Sequence, residues 1–165
     1  MNQPSLTKFA HAVIIALFAA TSAVAMDDRP KPDPKDPDKK SALPLEQARA
    51  AIDRQDWSRA QELTRQAVQQ DPRSADAHNL YAYAIRKGAN PNMDLVFMHY
   101  NEALRLNPKH LAAHEYLAEA YLMTGNVPKA KELLSQLGML CSARCEEYTV
   151  LQKEITTFER QHAAK

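Results

Sequence analysis

Three stretches of this chain, "DWSRAQELTRQAVQQDP" (56–72), "NMDLVFMHYNEALRLNP" (92–108) and "NVPKAKELLSQLGMLCS" (126–142), align without a gap. Ala60, Val96 and Ala130 coincide, as do Thr64, Tyr100 and Leu134, and then Ala67, Ala103 and Leu137. A repeat of this period is one supersecondary unit, and its apolar face is buried only by stacking on neighbours. Upstream of each stretch lies another segment with helical spacing: "LEQARAAIDRQ", "ADAHNLYAYAIRKG" and "LAAHEYLAEAYLMTG". From Leu45 onward the composition is Ala, Leu, Gln, Glu, Arg and Tyr, all helix-tolerant. The three glycines, Gly88, Gly125 and Gly138, each fall where an apolar helical pattern ends, where positive φ is often required. Pro72 and Pro108 mark two more helix ends. No alternating strand pattern occurs. The reading is all-α, built from helix pairs.

The positions that recur resemble the tetratricopeptide repeat (TPR), whose pattern runs W-x2-L-G-x2-Y, then A-x3-F, then P. In the third unit His114 stands at the Trp place, Leu117 and Ala118 at Leu-Gly, Tyr121 at Tyr, Ala130 at the central Ala and Leu134 at Phe. The second unit offers His78, Tyr81, Ala82, Ile85, Val96, Tyr100 and Pro108 in the same order. Two extra residues in "RKGANPNMD" should lengthen its internal turn. The first unit is weakest in its opening helix, with Pro44 at the Trp place and Ala51 at the Tyr, but Ala60, Ala67 and Pro72 match, and Trp57 fills an aromatic slot just after the turn. The resemblance implies an α-solenoid of three TPR helix pairs, over about 42–72, 75–108 and 111–142. "CEEYTVLQKEITTFERQ" repeats the spacing of a first helix, with Tyr148, Leu151 and Ile155 on its buried side. It is expected to be the terminal cap that solenoids need, over 145–161.

Ahead of this domain (45–165) two segments read differently. "FAHAVIIALFAA" (9–20) is an apolar run too short for a comfortable bilayer span, preceded by Lys8 and followed by an A-x-A site at Ala23 and Ala25. Residues 1–25 are therefore expected to be a signal peptide, cleaved after Ala25, and the style of signal suggests a bacterial periplasm. "MDDRPKPDPKDPDKK" (26–40) has little apolar surface to offset ordering entropy, so 26–44 is expected to be a disordered linker. The formal charge is +1, and loss of Lys8 leaves the remainder near neutral, without the basic excess of a nucleic-acid binder. No second apolar stretch approaches membrane length.

Candidate chemistry is sparse. Cys141 and Cys145 are the only cysteines, and they bracket a turn. In an oxidising compartment an even count favours a disulfide, and across a tight turn the Cα atoms can meet its distance requirement. A redox-catalytic pair wants C-x-x-C beside a βαβ pattern, and a soft-metal site would need further ligands, of which Met139 alone is near. His110 and His114 have a spacing that can share a metal, but His114 and His78 occupy the Trp place and are expected in the helical seam. Glu146 and Glu147 suit the first turn of a helix. No catalytic motif, cofactor site or metal site is apparent, and we expect no enzyme.

In repeats of this family one face of each first helix lines a concave groove that binds an extended or helical peptide. By position that face comprises Arg49 and Asp53; Asp76, Asn79, Tyr83, Arg86 and Lys87; and Glu115, Glu119 and Met123. The cap would add Thr149, Lys153 and Thr156. Tyr83 is the expected anchor, since aromatics dominate interface hot spots. The Lys/Asn/Arg clamp with which some relatives grip a C-terminal carboxylate is not matched, since Asn79 is one place off and the first unit lacks Asn or Lys on this face. The expected function is a periplasmic protein-interaction module or scaffold with a protein or peptide partner. Stacking of solenoid edges would permit a homo-oligomer. The alternative is a metal- or thiol-handling accessory that uses Cys141 and Cys145.

Overall fold

A computed structural model describes residues 37–163, with side chains from Pro44 onward. The signal-peptide expectation and most of the linker lie outside these residues. Seven helices follow in order: α1 (Pro37–Asp53), α2 (Trp57–Gln70), α3 (Ala75–Lys87), α4 (Met93–Leu106), α5 (Leu111–Met123), α6 (Val127–Cys141) and α7 (Glu146–Ala163). They pair as α1/α2, α3/α4 and α5/α6, and α7 closes the array against α5 and α6. First helices touch across repeats, α1 with α3, α3 with α5 and α5 with α7, and so form one continuous layer. None of the described helices is long and apolar enough to cross a membrane.

The boundaries follow from side chains at the helix starts. Asp56, Asn92 and Asn126 open the three quoted stretches, and each accepts a hydrogen bond from the backbone N–H three residues on. Ser74 and His110 do the same for α3 and α5. These bonds satisfy amides that a helix start leaves without partners. The turn α3–α4 takes residues 88–92, two more than the turns at 54–56 and 124–126, as the insertion implied.

Three details depart from the sequence reading. Helix α1 begins at Pro37, inside the segment assigned to the linker, because proline suits a first helical position and "DKKSAL" tolerates helix. Pro44 therefore lies within α1, where it is buried. Gly138 terminates nothing: α6 continues past it to Cys141, and a Cβ there would stand 3.2 Å from Cε2 of Tyr148 on α7. The left-handed positions ending α6 are filled by Ser142 and Ala143, while Gly125 alone among the glycines has positive φ, at +76°.

Burial follows the alignment except at Leu134, which is half-buried. Ala60, Val96 and Ala130 are wholly buried, as are Thr64, Tyr100, Ala103 and Leu137. Small residues in the first column let paired helices approach, and the larger side chains interdigitate around them. Leu151 and Ile155 of α7 complete this core, with Tyr148 and Phe158 half-buried beside them. His78 and His114 sit in the seam as expected, each donating Nε2–H to the carbonyl of the proline ending the preceding repeat, Pro72 at 3.1 Å and Pro108 at 3.0 Å. That leaves Nδ1 of His78 to accept from Nδ1–H of His99 at 2.8 Å, a buried partnership the sequence did not suggest.

Cys141 and Cys145 are joined by a disulfide, their Cα atoms 5.7 Å apart. It spans the turn from α6 to α7 and fixes how the cap enters. The closed loop is short, so its chain-entropy stabilisation is only about 2 kcal/mol. Reduction, or Cys141→Ser/Cys145→Ser, is expected to lower stability by about that much or less in urea unfolding. A loss well above it would mean that the bridge does more than close this loop.

Candidate functional site

The layer of first helices carries three adjoining hollows. The largest, about 590 Å³, lies between α3, α5 and α7 and is lined by Arg86, Lys87, Glu119, Met123, Lys153 and Glu154 among others. A second, about 270 Å³, is lined by Arg49, Ile52, Asp53, Leu80, Tyr83 and Tyr116. A third, about 240 Å³, lies between α5 and α7 and is lined by Ala112, Glu115, Tyr116, Glu146, Glu147 and Val150. Val150 borders both the first and the third, and Tyr116 both the second and the third. The face is thus one interrupted groove.

Its centre is a buried charge cluster. Arg86, in the last turn of α3, is 7% exposed. Its Nη2 pairs with Oε2 of Glu119 on α5, and its Nε–H donates to the Tyr100 hydroxyl on α4 at 3.3 Å. Its guanidinium lies over the rings of Tyr83 at 5.5 Å and Tyr116 at 5.7 Å. Burial works against the charge of Arg86, but Tyr100 and Glu119 outweigh it and hold the guanidinium protonated. Tyr83 packs on Tyr116 in a tilted pair, centroids 4.7 Å apart, and meets Trp57 edge-on at 6.1 Å. The expected anchor is thus already engaged on both sides.

Eight of the ten first-helix residues assigned to the groove line one of the three hollows. Asp76 and Asn79 do not. Asp76 lies at the start of α3, within 3.2 Å of Arg49 and 3.0 Å of His110, and Asn79 is buried with Oδ1 unpaired. Arg86 and Glu115, expected on an open face, are almost wholly covered, because the neighbouring first helices close over the layer. On the cap Lys153 lines the groove, but Thr149 and Thr156 are exposed and bond back to their own helix, to Cys145 and Gln152. Val150, Glu154 and Thr157 stand there instead. Tyr116 was also missed. It occupies the repeat position of Leu80, and its aromatic character was the available signal.

Carboxylates outnumber cations near α5 and α7. Glu115 is pushed up to about 8: burial is the main cause, Glu119, Glu147 and Glu154 repel its charge, and Arg86 partly offsets them. Glu154 is raised too, by burial and then by Glu119. The folded state therefore keeps a proton on Glu115 that the unfolded chain has released, and this contribution to stability is lost as pH climbs from about 4.5 through about 8. Glu115→Gln is expected to flatten that decline in melts taken from pH 5 to 8.5. His99, lowered by burial and then by His78, works in the opposite sense below about 6.5.

Comparison with known families agrees with this architecture. Models of the tetratricopeptide repeat match residues 45–91 and 97–140, together more than half of the chain. The chain belongs to the tetratricopeptide repeat family. No curated protein matches the sequence. Among solved structures, this TPR protein is similar to the TPR domain of Arabidopsis OM64, with TM-score 0.66 and 15% identity over 74% of this chain and 98% of that one. The TPR2B domain of yeast Sti1, solved as a complex with pHsp70, gives 0.66 and 15% over 75% and 99%. The Yersinia enterocolitica type III secretion chaperone SycD, solved with a peptide of the translocator YopD, gives 0.62 and 14% over 74% and 92%. At these identities the likeness is one of fold.

Proposed function

We propose that this TPR protein is a non-enzymatic protein-interaction module that holds a segment of a partner protein in the groove of α1, α3, α5 and α7. The observation that carries the reading is the groove itself: three adjoining hollows on one layer, with aromatic, apolar and charged linings side by side. Structures of similar fold, Sti1 and SycD among them, were solved with peptide or protein partners. The apolar run and A-x-A site at the N-terminus support export, to a bacterial periplasm, where the Cys141–Cys145 bridge would form readily. The thiol- or metal-handling alternative ranks lower: the two sulfurs are bonded to each other, and among the described residues no group of three or more ligand-type side chains gathers around a metal position.

A tagged pull-down from native periplasm tests this. Reversing Arg86 would break a buried ion pair and confuse binding with folding, so the variant is Lys87→Glu/Lys153→Glu, both exposed and both on the main cleft. Cys141→Ser/Cys145→Ser runs beside it. A partner lost only with the charge-reversed variant supports the groove. A partner lost only with the folded serine variant would move the function to the cysteines.

A further inference from the structure

The third hollow differs from the other two in having no cation in its lining. Glu115, Glu146 and Glu147 surround it, with the Tyr116 ring on one side and Val150 on another. Glu115 is only 8% exposed and, among the described residues, forms neither a hydrogen bond nor an ion pair. Its carboxylate oxygens keep some access to solvent, but a carboxyl so largely covered and with no cation beside it is disfavoured in its charged form. The nearby cations are engaged elsewhere or face away from this hollow. Arg86 is held by Glu119 and Tyr100, Lys87 reaches the Trp57 ring at 5.9 Å, and Lys153 lines the neighbouring cleft. At about 240 Å³ the space falls below the ordinary size of a small-molecule pocket, so it suits a single long side chain.

Resting on the groove reading, we propose that this hollow takes the cationic side chain of a lysine or arginine in the partner segment, seated against Glu115 and flanked by Glu146 and Glu147. Charge complementarity selects the occupant. The rest of the segment then runs over Val150 into the main cleft beside Leu122, Met123 and Phe158, where apolar residues fit. Some relatives grip a C-terminal carboxylate with a clamp that this chain does not match; the preference here is for a cation. Seating a cation requires Glu115 in its charged form, so binding at neutral pH also releases a proton.

The test displays random twelve-residue peptides against the immobilised full chain, then measures enriched, synthesised peptides by calorimetry in two buffers of different ionisation enthalpy. Enriched peptides should carry lysine or arginine at one fixed position. Replacing that residue by norleucine should weaken binding about tenfold or more, and Glu115→Gln should do the same and abolish proton release. Glu147→Gln, at a more open position, should give a smaller loss. Enriched peptides indifferent to the norleucine swap, or bound equally well by a folded Glu115→Gln protein, would overturn the inference while leaving the groove reading intact. If no peptide is enriched, or if Met123→Arg in the main cleft leaves binding unchanged, the groove reading falls and this inference with it.

Discussion

Replacing Arg86 by methionine is expected to destabilise the protein by about 3–5 kcal/mol, measured by urea unfolding at pH 7. The guanidinium is buried against Glu119, whose side chain is 17% exposed, and removing it leaves that carboxylate beside Glu115 and Glu154 with no compensating charge. It also takes the Nε–H donor from the Tyr100 hydroxyl inside the core. One further outcome is specific to this cause: Arg86→Met/Glu119→Leu should recover much of the deficit, because replacing both charges by apolar groups removes the penalty along with the attraction. A single variant as stable as the parent would mean that the pair is solvated in solution.

Leu151→Ala is expected to cost about 2–5 kcal/mol, the range for a fully buried leucine whose site cannot collapse. Leu151 and Ile155 are the buried residues of α7, and they cover α5 and α6. The loss should therefore appear first at one end of the molecule. By hydrogen exchange, amides of α7 and α6 should open before those of α3 and α4, since stacked repeats exchange stability mainly with their neighbours. Uniform opening throughout would show instead that the array unfolds as one unit.

The fold was legible because helix pairing leaves a periodic trace. Ala60, Val96 and Ala130 recur for a packing reason, and so do the histidines at the Trp place. Helix ends were less legible where composition misled. The prolines before Ser41 suggested a chain without structure, although one of them is a suitable first residue of α1. Gly138 looked like a terminator, whereas its lack of a side chain accommodates Tyr148. The groove was legible as a face but not as an environment. Register along α3 and α5 placed Arg86, Glu115 and Glu119 on it, but burial depends on how closely successive first helices approach, which no single helix records. The cap aligned correctly at its buried positions Leu151 and Ile155, but its groove face lies at Val150, Glu154 and Thr157 rather than at Thr149 and Thr156.

The bridge between Cys141 and Cys145 makes the two ends of the array mechanically unequal. At the C-terminal end α7 is joined to α6 by a second covalent link beside the backbone, whereas at the N-terminal end α1 is held to α2 and α3 by the backbone turn and contacts, with no such cross-link. A pulling load applied through the residues before Pro37 would enter at the unreinforced end. It would peel off the first helix pair, and with it Arg49 and Asp53, while the carboxylate-rich hollow between α5 and α7 stayed assembled.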